Sequence, residues 1–129
     1  MIKKILCFNL ERETIFKKSY KSTLSDKEVQ DEVLSNQDCN FIDAQDTIVY
    51  KRFDTIYLCF IVEDENEMYI LNILVFMMSL MDRLLGHLNE KSFIYNFKDV
   101  SYMIDNFILD GKIINTDPLE ISTAPYIIE

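Results

Sequence analysis

Residues 68–81 (MYILNILVFMMSLM) are the most apolar stretch of the chain, interrupted only by Asn72 and Ser79. A bilayer span needs about 20 such residues, so this stretch is too short to cross a membrane. A helix that is apolar on nearly every face must be enclosed by the rest of the fold. The spacing predicts a central helix over residues 67–85. The acidic run Glu63, Asp64, Glu65 and Glu67 suits its positive N-terminal end, and Gly86 suits its stop. Such a helix requires a sheet on one side and further helices or a partner protein on the other.

The sheet is written upstream. Residues 2–9 and 14–20 are short runs rich in β-branched and aromatic side chains, separated by a polar break, and they predict a first hairpin. Ser25 followed by Glu28 is a capping-box pattern, and Val29, Val33 and Leu34 give the short helix that follows a narrow apolar face. Three more strands are predicted over residues 39–43, 47–53 and 55–62. Downstream, residues 89–95 predict a short helix. Residues 97–110 predict a longer one, with Val100, Ile104, Phe107 and Ile108 on one face and Gly111 as its end. Asp117-Pro118 suits one more helical turn, which Pro125 keeps short. The order implies an α+β fold, a five-stranded antiparallel sheet with helices packed on its faces, in one domain spanning residues 1–129.

Charge and chemistry exclude several functions. A formal charge of −9 repels phosphate backbones, so no nucleic-acid partner is expected. Cys7, Cys39 and Cys59 are odd in number and lie among apolar residues without a CxxC pair, which predicts reduced core thiols in a cytosolic protein. Residues 1–9 are too short an apolar run for a secretory signal, and none is expected. His87 is the only histidine, so no multi-histidine metal site can be assembled, and no nucleophile-elbow motif accompanies it to suggest a Ser-His-Asp arrangement. A Cys-His pair has no thiolate-stabilising motif around it. The acidic run lacks the alternating ligands and turn glycine of a calcium loop. We expect no catalytic residues, cofactor or metal. Lys3, Lys4, Lys17, Lys18 and Lys21 gather in the first hairpin, where they suit either a solvated face or contact with an acidic partner or anionic lipid.

Several segments also form an ordered series. Met1-Ile2-Lys3-Lys4-Ile5-Leu6 opens it and Lys17-Lys18-Ser19-Tyr20 follows; Cys39-Asn40-Phe41-Ile42-Asp43 precedes Ile48-Val49-Tyr50-Lys51-Arg52-Phe53-Asp54-Thr55-Ile56-Tyr57-Leu58. Tyr95-Asn96-Phe97, Ile104-Asp105-Asn106-Phe107 and Asp110-Gly111-Lys112-Ile113 through Thr116 complete it. Over nearly its whole length the chain resembles the small, sigma-type subunits of clathrin-adaptor complexes, whose motifs read C-N-F-L-E, Y-[KR]-x4-L-Y-F, F-N-F and V-D-E-F at compatible spacing. Ile56 and Leu58 are conservative departures.

The resemblance implies a longin-like domain and a scaffolding role in vesicle-mediated transport. Its partners would be the large and medium adaptor subunits of a heterotetramer, with only indirect contact to the Golgi or endosomal coated-vesicle membrane. The candidate partner interface is Phe76, Met77, Met78 and Tyr102. Some sigma subunits also hold acidic dileucine sorting signals; by position the matching pocket here is Ile56, Met78, His87, Leu88 and Phe93. Ile15 stands where signal-binding forms carry arginine, and Asp54 where they carry a small apolar residue. A carboxylate there repels an incoming acidic motif. The alternatives are a coatomer zeta subunit, which Glu65-Asn66-Glu67-Met68 and Thr116-Asp117-Pro118 resemble, and a longin-type tethering or interaction module.

Overall fold

The computed structural model describes residues 1–36, 40–43, 45–109 and 111–113. In chain order they form β1 (Ile2–Asn9), β2 (Thr14–Ser19), α1 (Asp26–Ser35), β3 (Phe41–Asp43), β4 (Thr47–Phe53), β5 (Ile56–Val62), α2 (Glu67–Leu84), α3 (Glu90–Tyr95), α4 (Phe97–Phe107), β6 (Ile108–Leu109) and β7 (Lys112–Ile113). Five strands join in one antiparallel sheet of order β2-β1-β5-β4-β3, the architecture the sequence predicts.

All seven residues of β5, the middle strand, are buried. Burial on both faces explains why this strand reads as a continuous apolar run and not as an alternation. The period of two survives in which face each side chain serves. Ile56, Leu58, Phe60 and Val62 pack into a core shared with α2, α3 and α4, whereas Tyr57, Cys59 and Ile61 pack with Val29 and Val33 of α1.

Local chemistry sets the helix ends. At α1, Ser25 Oγ accepts the Glu28 N–H at 3.2 Å and Glu28 Oε1 accepts the Ser25 N–H at 3.4 Å, closing the expected capping box. At α2, Asn66 Oδ1 accepts the Tyr69 N–H at 3.0 Å, and Gly86 follows the helix at φ +87°. The inner side of α2 is buried through Ile70, Ile73, Leu74, Met77, Leu80 and Met81. Its outer side is less enclosed than the composition predicts: Met68, Tyr69, Asn72, Val75 and Ser79 remain exposed.

The second helix of the C-terminal half differs from its expected length. α4 stops at Phe107, and Ile108 and Leu109 pair with Ile113 and Lys112 in a small ribbon. Ile108 is buried in the same core all the same, so its apolar character suited a helix and a strand equally. Gly111 therefore does not end the helix. Its carbonyl accepts the Ile2 N–H at 2.7 Å, its φ is +81°, and a Cβ there would lie 2.3 Å from the Ile2 carbonyl oxygen. Only glycine permits that approach. Cys39 and the turn expected at Asp117-Pro118 lie outside the described residues. Among the described residues, no helix is long and apolar enough to cross a membrane.

Candidate functional site

One end of the sheet is closed by a short turn and a short helix that hold each other. Phe53 pairs with Ile56, so Asp54 and Thr55 alone connect β4 to β5. Asp54 adopts φ +51°, a left-handed conformation that aspartate tolerates better than most residues, and Arg52 Nε donates to its carbonyl at 3.1 Å. From this turn Asp54 Oδ2 accepts the Glu90 N–H at 3.3 Å, while the Thr55 hydroxyl donates to Glu90 Oε1 at 2.7 Å. The start of α3 is tied internally as well. Asn89 Oδ1 accepts the Ser92 N–H at 2.8 Å, and Ser92 Oγ accepts the Asn89 N–H at 3.0 Å. Asp82 Oδ1 accepts the Leu88 N–H at 2.8 Å, which fastens the preceding loop to α2.

Four of the residues that the resemblance places in one pocket share one apolar cluster, Ile56, Leu88 and Phe93 within it and Met78 packed against it, but they differ in exposure. Ile56 and Phe93 are fully buried; Phe93 stacks edge-on against Phe16 and lies beside Phe53. Met78 and Leu88 do come together, in a shallow groove of about 260 Å³ that also touches Lys51, Phe53 and Asp82. His87 faces elsewhere, with 79% of its side chain exposed. It lines a larger open groove of about 710 Å³ bounded by Asp54, Thr55, Glu90, Lys91, Ile94 and Tyr95. Ile15 packs half-buried against the core. The larger groove was not legible in the sequence, although the Asn89–Ser92 cap and the two-residue turn that build it are sequence-local signals.

The candidate interface residues also divide. Met77 is fully buried under the sheet, so it belongs to the core and presents nothing to a partner. Phe76 is half-buried and meets Phe107 edge-on; Met78 is half-buried; Tyr102 is exposed. The hairpin lysines all have carboxylate partners. Lys3 meets Asp46 at 3.1 Å and Glu63 at 3.4 Å, Lys4 and Lys17 meet Asp26, Lys18 meets Asp105, and Lys21 meets Glu63.

Electrostatics at the buried thiols points away from nucleophilic chemistry. Burial pushes the Cys7 thiol well above its ordinary range, helped by the charge of Glu90, and burial does the same to Cys59. Among the described residues, no group of three His, Cys, Asp or Glu side chains is placed to hold a metal.

Comparison with known proteins adds the following. Residues 1–124 match the family model described as clathrin adaptor complex small chain. The mouse AP-1 complex subunit sigma-3 is 33% identical over 127 residues, covering 90% of this chain and 82% of that protein. The AP-1 complex subunit sigma-1 of Dictyostelium discoideum is 28% identical over 134 residues, covering 96% of this chain and 86% of that protein. In fold, the chain is similar to a chain of a structure titled a homology model of the full-length AP-3 complex in a stretched open conformation. The TM-score is 0.69 at 23% identity, covering 94% of this chain and 89% of that one.

Proposed function

Because this chain belongs to the clathrin adaptor complex small chain family, we propose that it is the sigma-type subunit of a heterotetrameric adaptor complex, packing against a large subunit to stabilise the core that sorts cargo into transport vesicles. The role is scaffolding, with no chemical step. The observation that carries the reading is the family match over residues 1–124. It is supported by an open strip on α2, where Met68 is 54% exposed, Tyr69 47% and Val75 39%. Half-exposed apolar residues on a helix whose other side is core suit a permanent partner, since obligate interfaces resemble a core cut in half. Phe76, Met78 and Tyr102 extend the proposed contact; Met77 supports it from beneath. The protein would then reside in the cytoplasm, peripheral to Golgi or endosomal coated-vesicle membranes and reaching them through the complex.

An acidic dileucine signal is disfavoured: Ile56 and Phe93 are core residues, and the Asp54 carboxylate lines one of the grooves beside His87. Affinity purification of the chain from its own cells at native expression, with bound proteins identified by mass spectrometry, tests the assignment. Two large chains and a medium chain are expected. Coatomer subunits would move the chain to the zeta position, and the absence of any coat protein would overturn the reading.

A further inference from the structure

The groove between the β4–β5 turn and α3 has a chemistry of its own. Its volume, about 710 Å³, lies within the range of clefts that hold ligands. Two carboxylates are fixed on its rim: Asp54 by the Glu90 N–H at 3.3 Å, and Glu90 by the Thr55 hydroxyl at 2.7 Å. Both residues line the groove, so a cation entering it meets two carboxylates. Among the described residues, neither forms an ion pair with a cation at 4.0 Å or less, whereas Asp26, Asp46, Glu63 and Asp105 all pair with lysines of the first hairpin. Lys91 lines the groove without pairing with either, and the Arg52 Nε–H is spent on the Asp54 carbonyl. On the same wall Tyr95 is 87% exposed and Ile94 52% exposed.

We propose that this groove receives a short extended segment of another protein in which an arginine stands next to a bulky apolar residue, with Asp54 and Glu90 selecting the arginine. A guanidinium is planar and forked, so it can bridge two carboxylates while stacking on an aromatic face such as that of Tyr95. The neighbouring apolar residue would cover Ile94. An acidic segment meets repulsion from the same pair of carboxylates. That the segment belongs to a cargo tail rests on the sigma-type reading; the charge preference of the groove does not.

The test is a fluorescence-anisotropy titration with two labelled ten-residue peptides, identical except that one carries Arg-Leu-Leu and the other Glu-Leu-Leu at its centre. It uses the full chain, in its assembled complex where co-expression gives one and alone where it does not. The arginine peptide is expected to bind at least about fivefold more tightly at low salt, a preference that shrinks as salt rises. The double variant D54N/E90Q keeps the acceptor oxygens that the Glu90 N–H and Thr55 hydroxyl use, and it should abolish the preference. If that variant does not fold, Y95A serves, and it should weaken the arginine peptide more than the glutamate peptide. Equal binding, a preference for the glutamate peptide, or a preference that survives the substitutions overturns the proposal. Failure of the sigma-type reading shows separately, as a purification without coat proteins.

Discussion

The first hairpin and the α3 end are both rich in charge, and they handle it in opposite ways. At the hairpin, five lysines are each matched to carboxylates from other elements: Asp26 at the start of α1, Asp46 before β4, Glu63 after β5 and Asp105 on α4. Lys4 is 6% exposed, and its ammonium also donates to the Leu24 carbonyl at 3.2 Å. These charges tie the edge of the sheet to its neighbours. At the α3 end, the Asp54 carboxylate accepts the Glu90 N–H and the Glu90 carboxylate accepts the Thr55 hydroxyl, and neither pairs with a cation among the described residues. A charge already matched within the chain has little left to offer a partner, whereas one held in place and left open is free to recognise something.

The largest expected effect tests whether the α3 end is rigid enough for that role. Phe93 is fully buried between Phe16 and Phe53 and anchors α3 to the core. Phe93→Ala should cost about 3–5 kcal/mol in urea unfolding, since it removes a buried aromatic ring and leaves a cavity. A loss below about 1 kcal/mol would mean that α3 is only loosely attached, and the contrast with the hairpin would then be one of order and not of charge.

The next effect is a pH dependence carried by the hairpin. Burial alone would raise Asp46, but the Thr23 hydroxyl and Lys3 outweigh it and hold the carboxyl below its ordinary value; Asp26 is likewise held down by Lys4 and Lys17 against its own burial. The folded state therefore binds fewer protons than the unfolded one in mild acid. The stability these groups contribute is complete above the ordinary carboxylate range, about pH 4, and is lost as pH falls through their folded values. At the alkaline end the signs reverse. The hydrogen bond that Lys3 donates to Asp46 raises Lys3, and burial, with the charge of Asp105, pushes Tyr20 up to about 12. Their contribution should hold below pH 10 and fade above it. Urea midpoints measured across pH check both limbs; D26N and D46N should flatten the acid limb. An acid limb unchanged in both variants would remove the hairpin from the account.

How much of this was readable beforehand depends on the distance between partners. The strands, the Ser25–Glu28 cap and the stop at Gly86 are set by neighbours in sequence, and they fall within a residue or two of their predicted places. The end of α4 was misplaced, because Ile108 reaches the same core as a helical residue or as a strand residue. Met77 looked like its neighbours Phe76 and Met78 until the rotation of α2 put it under the sheet. The lysine pairs join residues such as Lys3 and Asp46 or Lys18 and Asp105, and the groove joins Asp54 to Glu90; no local pattern relates residues so far apart. Of the pocket that the resemblance implies, the burial of Phe93 was not legible either, because its ring packs against Phe16 and Phe53, which are distant in sequence.

The smallest effect sharpens the contrast within α3 itself. Tyr95 is 87% exposed, only two residues from the buried Phe93, and its ring contributes little to the folded chain. Tyr95→Ala should therefore change stability by no more than about 0.5 kcal/mol, the usual range for surface substitutions. Within the sheet the matching aromatic is Tyr50 on β4, 1% exposed, whose hydroxyl donates to the Asn36 carbonyl and whose ring lies beside Tyr57. Its replacement by alanine belongs with Phe93→Ala. If urea unfolding finds Tyr95→Ala as costly as those two, the ring is holding α3 in place and is not free to be covered by anything else. A near-zero cost leaves an exposed aromatic that folding does not require, in a groove that two carboxylates also line.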